Sequence, residues 1–234
     1  MIAEILNEFS EHNDIALTRD MIKGFETYYK MLVEWNEKMN LTAITDERNV
    51  AVKHFCDCLY FLKFVDVKPG ARIIDVGTGA GFPGLVLKIA RPDISLCLMD
   101  SLNKRLIFLK AVTEELGLDG IDIVHSRAED GVKLQGFAAG FDFATSRAVA
   151  RMNILCEYCL PYVKKGGSFV ALKANVDDEL NESKRAIGIL GGQLDRVFEF
   201  SLLDSKRTIV SVKKIKDTPK KYPRNSGQIK SKPL

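Results

Sequence analysis

The stretch IIDVGTGAGFPG, residues 73–84, decides the fold that this sequence predicts. It begins with a short apolar run typical of a buried strand and continues with four glycines, at positions 77, 79, 81 and 84. Glycine permits positive φ and lets the backbone approach a ligand, and Pro83 can begin a helix. The order of strand, glycine loop and helix therefore predicts a ligand site at the carboxyl end of a parallel strand.

The sequence that follows repeats this alternation. The strand-like runs RIIDVG, SLCLMD, IDIVHS, FDFATSRAV and GSFVALKA are separated mostly by helical patterns, which predicts a mostly parallel sheet covered by helices on both faces. Two further runs, QLDRVFEFSL and KRTIVSVKKI, are joined only by LDS. This hairpin predicts one antiparallel strand in a seven-stranded α/β sheet.

The first part of the chain has a helical pattern instead. Thr18 is a candidate N-cap, and apolar residues recur at helical spacing after it, at Ile22, Phe25, Leu32 and Trp35. We therefore expect an N-terminal helical subdomain at residues 1–66, acting as a cap on the sheet. An α/β domain would follow at 67–215, and a basic flexible tail at 216–234.

Composition limits the classes of protein to consider. The chain has 234 residues, 46% hydrophobic and 28% charged, which suits a compact protein. Neither a signal peptide nor an apolar run long enough for a membrane span is evident, so we expect a cytoplasmic protein with no membrane contact. The five cysteines do not have the spacing of a zinc site or a disulfide framework, so we expect reduced thiols and no metal.

Positive charge is concentrated at the end of the chain. Residues 213–234 contain eight Lys or Arg and a single Asp, whereas the whole protein has a net charge of only +3. Together with its Pro, Gly, Ser and Asn, this pattern predicts an extended arm that either contacts phosphates or only increases solubility.

The glycine spacing alone does not identify the ligand. Gly79, Gly81 and Gly84 match the G-x-G-x-x-G of dinucleotide-binding proteins, while Gly77, Gly79 and Gly81 match the G-x-G-x-G of methyltransferases. Asp100 ends the second strand, where a carboxylate can hold the ribose of NAD or of S-adenosylmethionine. Asp75, which can meet the cofactor's amino-acid portion, and the closing hairpin favour S-adenosylmethionine.

Several motifs together resemble one family. DVGTGAGFPG, LMDSLNKRLIFL, SRAED, TSRAVA and ALKA, preceded by WNEKMNLTAIT and KHFCDCL, resemble the ribosomal RNA small subunit methyltransferase G family, also called glucose-inhibited division protein B. The resemblance implies a Rossmann-like class I methyltransferase fold. It also implies transfer of a methyl group from S-adenosylmethionine to N7 of one guanine in 16S ribosomal RNA. The partner would be that RNA or the small ribosomal subunit, and we expect a monomer.

The resemblance and the crevice argument together give a set of site residues. The candidate cofactor contacts are Asp75, Gly77, Gly79, Gly81, Phe82, Asp100, Ala128, Glu129 and Arg147. The candidate RNA contacts are Lys173, Arg151, Arg207, Lys220, Lys221 and Arg224.

Arg147 is also the candidate catalytic residue. Guanine N7 already has a lone pair, so the reaction requires alignment rather than a general base. A phosphate clamp and a structural ion pair remain alternatives for Arg147. We expect His54 to be a histidine at the edge of the core.

Two other functions are compatible with the residues. An NAD-dependent oxidoreductase would use the G-x-G-x-x-G spacing and Asp100 but leaves the NLT and SRA motifs unexplained. A non-catalytic ribosome-assembly factor would keep the cofactor pocket without methyl transfer. Turnover with RNA distinguishes it from an enzyme.

Overall fold

The computed structural model describes residues 1–147, 149–203 and 205–234, with the backbone alone at Asp177. Ala148, in the SRA motif, and Asp204, in the predicted hairpin loop, therefore lie outside the described residues. Within them, one sheet has seven strands: β1 (Arg72–Val76), β2 (Ser95–Asp100), β3 (Ile121–His125), β4 (Phe141–Arg147), β5 (Val163–Lys173), β6 (Gly192–Leu202) and β7 (Ser205–Lys214).

The strand order is β3-β2-β1-β4-β5-β7-β6. β1 pairs in parallel with β2 and β4, with Ile73 opposite Leu96 on one side and opposite Phe143 on the other. β7 runs antiparallel to both β5 and β6. The predicted seven-stranded sheet with one antiparallel strand is confirmed for the described chain. Strands β1 to β3 are added toward one edge of the sheet, and the strands from β4 onward lie on the other side of β1. The strand order therefore reverses between β1 and β4, which is the position at which ligands bind in doubly wound folds.

Helices cover both faces of this sheet. They are α1 (Ile2–Asn13), α2 (Arg19–Met39), α3 (Glu47–Val50), α4 (Asp57–Phe64), α5 (Gly84–Ala90), α6 (Asn103–Glu115), α7 (Ala128–Gly131), α8 (Met152–Cys159), α9 (Asp177–Ile189) and α10 (Ser226–Ser231). A π-helical stretch, Ala51–Cys56, joins α3 to α4, and a 3-10 turn, Leu160–Tyr162, follows α8. No described helix is both long and apolar enough to cross a lipid bilayer.

The N-terminal helices share a hydrophobic core with the sheet. The Thr18 hydroxyl accepts a hydrogen bond from the Met21 amide, as expected of an N-cap. Phe25 and Leu32 are fully buried in the same apolar cluster as Ile73 and Leu85. A second cluster of buried apolar side chains, on the other face, packs α8 and α9 against the sheet. The helical cap therefore lies directly against the glycine loop.

The last residues differ from the expected flexible tail. Arg224 donates two hydrogen bonds to one oxygen of the Glu157 carboxylate, both of 2.8 Å, and a third of 2.6 Å to the other. Glu157 lies on α8 and is fully buried, as is Ile229 on α10. The basic composition predicted an extended arm. Composition does not reveal that one of these cations, Arg224, pairs with a buried glutamate on α8.

Candidate functional site

A cavity of about 610 Å³ opens at the carboxyl ends of the parallel strands. Its walls include Val76 from β1, Asp100 from β2, Ser126 after β3 and Arg147 from β4. A volume of this size lies within the usual range for small-molecule sites. The fold therefore places the cavity at the crevice predicted from the glycine loop.

The glycine loop forms one wall and is tied to β2. The amides of Gly77 and Thr78 donate to the Met99 carbonyl at 2.9 and 3.0 Å, and the Gly79 amide donates to Asp100 Oδ2 at 2.9 Å. Gly79 has φ of +61°, and a Cβ added there would meet no atom within 4 Å. The loop thus presents bare backbone to open space in the cavity, which suits a ligand that approaches closely.

Asp100 is a nearly buried carboxylate at the cavity wall. Its Oδ1 accepts from the Leu102 amide at 2.9 Å, and its Oδ2 lies 3.2 Å from Arg105 Nη1. Only 3% of Asp100 is exposed. A carboxylate oriented by backbone amides can still accept hydrogen bonds from hydroxyl groups in the cavity.

The loop after β3 supplies another wall. Ala128 and Glu129 begin α7, and both line the cavity. The Tyr162 hydroxyl donates to the Ala128 carbonyl, which fixes this turn, and Glu129 is 7% exposed. Seven of the nine predicted cofactor contacts therefore surround one cavity: Gly77, Gly79, Phe82, Asp100, Ala128, Glu129 and Arg147.

Asp75 and Gly81 are the two predicted cofactor contacts that do not line the cavity. Asp75 is fully buried, and its Oδ2 accepts from the Thr78 hydroxyl at 2.7 Å and from the Gly84 amide at 2.8 Å. A Cβ on Gly81 would lie 2.7 Å from the hydroxyl of Tyr28. The absence of a side chain at position 81 therefore allows α2 to pack closely against the loop. Both residues therefore stabilise the loop from the side that faces the protein core. The sequence pattern could not separate the two sides of the loop.

Arg147 lines the cavity beside Phe82 of the glycine loop and joins β4 to the N-terminal helices. Its Nη1 donates to Asp57 Oδ2 and to the Lys53 carbonyl, both at 3.1 Å. Its guanidinium lies 4.9 Å from the centre of the Phe82 ring. Burial opposes its charge, but the acidic groups around it, including Asp57, hold the pKa of Arg147 above its ordinary value. Arg147 is therefore a fixed cation at the cavity.

His54 contributes a neutral ring beside this arginine. Its Nδ1 lies 3.2 Å from Arg147 Nη2, and its Nε2 lies 3.0 Å from the Thr42 hydroxyl. Nδ1 also lies 3.1 Å from the Lys53 carbonyl, so both a donor and an acceptor face this nitrogen. Burial and the charge of Arg147 lower the pKa of His54 to about 4. Its position at the edge of the core agrees with the expectation, and it also lines the cavity.

The structure divides the predicted RNA contacts into two groups. Lys173 pairs with Glu179 at 2.8 Å, Arg207 with Asp57 at 3.4 Å and Arg224 with Glu157. The side chains of these three cations are only 11%, 20% and 21% exposed, so the structure does not offer them as free phosphate contacts. Arg151, Lys220 and Lys221 are exposed; Arg151 pairs with Glu182 at the surface.

Sequence reasoning missed several cavity residues. They are Thr42, Arg105, Arg127, Tyr158, Ser226 and Lys230. Arg105 and Arg127 were detectable, since each follows a strand that ends at the cavity. Ser226 and Lys230 were not, because they lie about 100 residues beyond β3 and reach the cavity only through the packing of α10.

Comparison with known proteins identifies the family. A family model described as GidB, rRNA small subunit methyltransferase G, matches residues 21–210. A Ribosomal RNA small subunit methyltransferase G from Clostridium perfringens is 46% identical over 234 residues, covering 99% of this chain and 98% of that protein. One from Lactobacillus acidophilus is 48% identical over 236 residues, with the same coverages.

The chain belongs to the rRNA small subunit methyltransferase G family.

Solved structures of methyltransferases share the fold of this family member. A SAM dependent methyltransferase from Aquifex aeolicus superposes with a TM-score of 0.54 at 17% identity, covering 71% of this chain and 93% of that one. A 16S rRNA (adenine(1408)-N(1))-methyltransferase from Catenulisporales acidiphilia, solved with cosubstrate SAM, gives a TM-score of 0.54 at 12% identity, covering 64% and 88%. The predicted family, fold, methyltransferase class and cofactor, S-adenosylmethionine, are confirmed, and the oxidoreductase alternative is excluded.

The cavity of this family member fits S-adenosylmethionine on its own geometry. The open space in front of Gly79 admits a ligand against the backbone, and the Asp100 carboxylate faces the same space. Both features suit a cofactor that carries ribose hydroxyls. The fit supports Asp100, Gly77, Gly79, Ala128 and Glu129 as the residues that would hold it.

Proposed function

We propose that this protein transfers the methyl group of S-adenosylmethionine to N7 of one guanine in 16S ribosomal RNA. Family membership supports the methyl donor and the ribosomal RNA. The observation that supports the acceptor site is the group formed by Arg147, His54 and Phe82, which places a fixed cation and a neutral imidazole against the aromatic ring of the glycine loop at the cavity wall. We also propose a monomeric cytoplasmic enzyme acting on this RNA or on the small subunit.

The side chains at this wall fit alignment of a base that needs no deprotonation. Bound S-adenosylmethionine supplies an electrophilic sulfonium methyl group. The pKa of His54 is about 4, so its ring is neutral near pH 7 and does not act as a proton donor there. Holding two reactants in line contributes up to about 7 to 11 kcal/mol to catalysis, which is enough to account for an enzyme without a general base.

Arg147 is the residue that we assign to the guanine side of the cavity. On its inner side, Nη1 is held by Asp57 and the Lys53 carbonyl and Nη2 by His54, and a remaining N–H of the guanidinium can donate to a purine acceptor such as O6. Because the inner contacts already fix its direction, little conformational entropy is lost on binding the base. Arg151, Lys220 and Lys221 are the exposed cations that we propose for contacts with the RNA backbone.

A transfer assay tests the proposal. Labelled S-adenosylmethionine is supplied with small subunits or bare 16S RNA from cells that lack this modification, and N7-methylguanine is mapped by strand scission. We expect label at one guanine. Arg147→Ala should reduce kcat by 100-fold or more, whereas Arg196→Ala, which removes an exposed arginine of β6 outside the cavity, should keep parental turnover.

Three results would each contradict a part of the proposal. Cofactor binding without transfer to either substrate would favour the non-catalytic assembly factor. Transfer to a different atom would exclude guanine N7 but keep the enzyme class. Parental kcat in a folded Arg147→Ala variant would remove Arg147 from the site.

A further inference from the structure

The C-terminal segment, residues 222–234, lies against the cofactor cavity and contributes to its wall. Ser226 and Lys230 of α10 line the cavity together with Tyr158 of α8. Pro223 and Asn225 share a surface groove with Arg127 and Glu129, the loop that follows β3. The segment is therefore adjacent to the loop that we assign to the cofactor.

The segment is held in place by contacts that exceed those of a solvated tail. Glu157 is fully buried, and Arg224 satisfies both of its carboxylate oxygens. Arg224 Nη1 also donates to the Lys232 carbonyl at 3.0 Å, which ties the two ends of the segment together. Ile229 is fully buried between them. A bidentate pair to a buried acid fixes both position and orientation.

Local hydrogen bonds orient α10 toward the cavity. The Asn225 side chain accepts from the Gln228 amide at 3.0 Å and so begins the helix. Tyr158 of α8 and Ser226 both line the cavity. The cavity wall is therefore linked through Ser226 to Arg224 and then to Glu157.

We infer that residues 222–234 complete the cofactor site, with Arg224 and Glu157 as positioning residues and Ser226 and Lys230 as its inner surface. The inference rests on the proposed assignment of the cavity to S-adenosylmethionine. With the segment docked, one end of the cavity is closed beside Arg127 and Glu129. Without it, that end opens to solvent, and a bound cofactor loses part of its contact surface. The basic C-terminus then acts on cofactor affinity, a role separate from any contact with RNA.

Calorimetric binding of S-adenosylhomocysteine to the full chain tests the inference. We expect Arg224→Ala to raise Kd at least tenfold. Arg224→Lys should recover only part of this loss, because a lysine cannot make the bidentate pair. Lys230→Ala should raise Kd about threefold without affecting docking. Lys232→Ala is the matched control: it removes one exposed positive charge from the same segment and keeps the backbone carbonyl, so Kd should stay at the parental value.

Hydrogen exchange of the parent protein provides a readout that does not depend on a variant folding. Amides of residues 226–231 should exchange at least tenfold more slowly when S-adenosylhomocysteine is bound. An unchanged exchange rate in these residues would overturn the inference. So would a folded Arg224→Ala variant that binds S-adenosylhomocysteine within twofold of the parent.

The outcome is separable from that of the proposed function. A parent protein that binds S-adenosylhomocysteine and protects α10, but transfers no methyl group to RNA, would contradict the function and keep this inference. A parent that methylates 16S RNA while α10 exchanges at the same rate with and without ligand would do the reverse.

Discussion

At the scale of single residues, two aspartates at strand ends have different roles. Asp75 is the last residue but one of β1 and Asp100 is the last residue of β2, and both hydrogen-bond to the glycine loop. Asp100 lines the cavity, whereas both hydrogen bonds of Asp75 go to the loop and to the start of α5. Asp100 is therefore suited to hold ligand, and Asp75 to hold the backbone that surrounds the ligand.

Asp100→Asn should weaken cofactor binding more than it weakens the fold. Loss of the charge weakens hydrogen bonds from ribose hydroxyls, each worth about 1.5 to 3 kcal/mol when one partner is charged. We expect Kd for S-adenosylhomocysteine, measured by calorimetry, to rise about 10- to 100-fold. A folded variant with the parental Kd would exclude Asp100 from the cofactor site.

Asp75→Asn should instead change how stability depends on pH. Burial raises the pKa of Asp75 to about 6, so between pH 4 and pH 6 the native state binds more protons at this group than the unfolded chain does. The contribution of this carboxyl to stability is therefore present at low pH and is lost as the pH rises through 6. Relative to the variant, the parent should lose about 1 kcal/mol of unfolding free energy between pH 5 and pH 7.

Urea denaturation of both proteins at several pH values measures this difference. The variant is its own control for the other titrating groups, which are common to the two proteins. A difference in unfolding free energy that stays constant from pH 5 to pH 7 would contradict the assignment.

At the scale of elements, helix α2 and the glycine loop stabilise each other. The Tyr28 hydroxyl of α2 donates to the Ala80 carbonyl, and its ring lies 5.5 Å from that of Phe82. Gly81 makes this contact possible, because a Cβ there would also lie 2.8 Å from Leu109 of α6. The N-terminal helices therefore help to fix the conformation of the glycine loop, although they are not part of the sheet.

Gly81→Ala should destabilise the protein far more than Gly79→Ala. Both glycines have positive φ, of +101° and +61°, so both substitutions incur backbone strain of about 1 to 2 kcal/mol. Only the Cβ at 81 also collides with Tyr28 and Leu109, which adds about 1 to 3 kcal/mol. Thermal or urea unfolding of the two variants tests the difference, and equal stabilities would show that α2 does not restrain the loop.

At the scale of the whole molecule, charge distribution matters more than net charge. The net charge is only +3, but part of the positive charge predicted to face RNA is neutralised in ion pairs. Lys220 and Lys221 remain exposed, next in sequence to residues 222–234. Attraction to RNA should therefore depend on a few phosphate contacts rather than on the whole basic C-terminus.

RNA binding should weaken with salt, while cofactor binding should change little. Each phosphate contact to single-stranded RNA contributes a slope of about −0.7 to log K against log salt. Lys220→Ala combined with Lys221→Ala should reduce the magnitude of the slope by about 1.4 in filter binding with 16S RNA. An unchanged slope would show that these lysines do not contact the RNA.

The sequence by itself determined the sheet, the loop and the family. Alternation of apolar strands with helical patterns specifies a doubly wound sheet because each strand must bury both faces. The four glycines and Asp100 marked the crevice because local backbone conformation and strand order place them there. Seven of nine expected cofactor contacts consequently surround one cavity.

Only the tertiary structure decided which side of the loop each residue serves. Asp75 and Asp100 are both buried near the end of an apolar strand, but only Asp75 accepts a hydrogen bond from the start of α5, and only Asp100 lines the cavity. This difference depends on how α5 packs. Arg224 and Lys220 are both cations in one basic run, yet a buried Glu157, far away in sequence, pairs with the first. Such pairings depend on contacts between distant segments, which composition and periodicity do not encode.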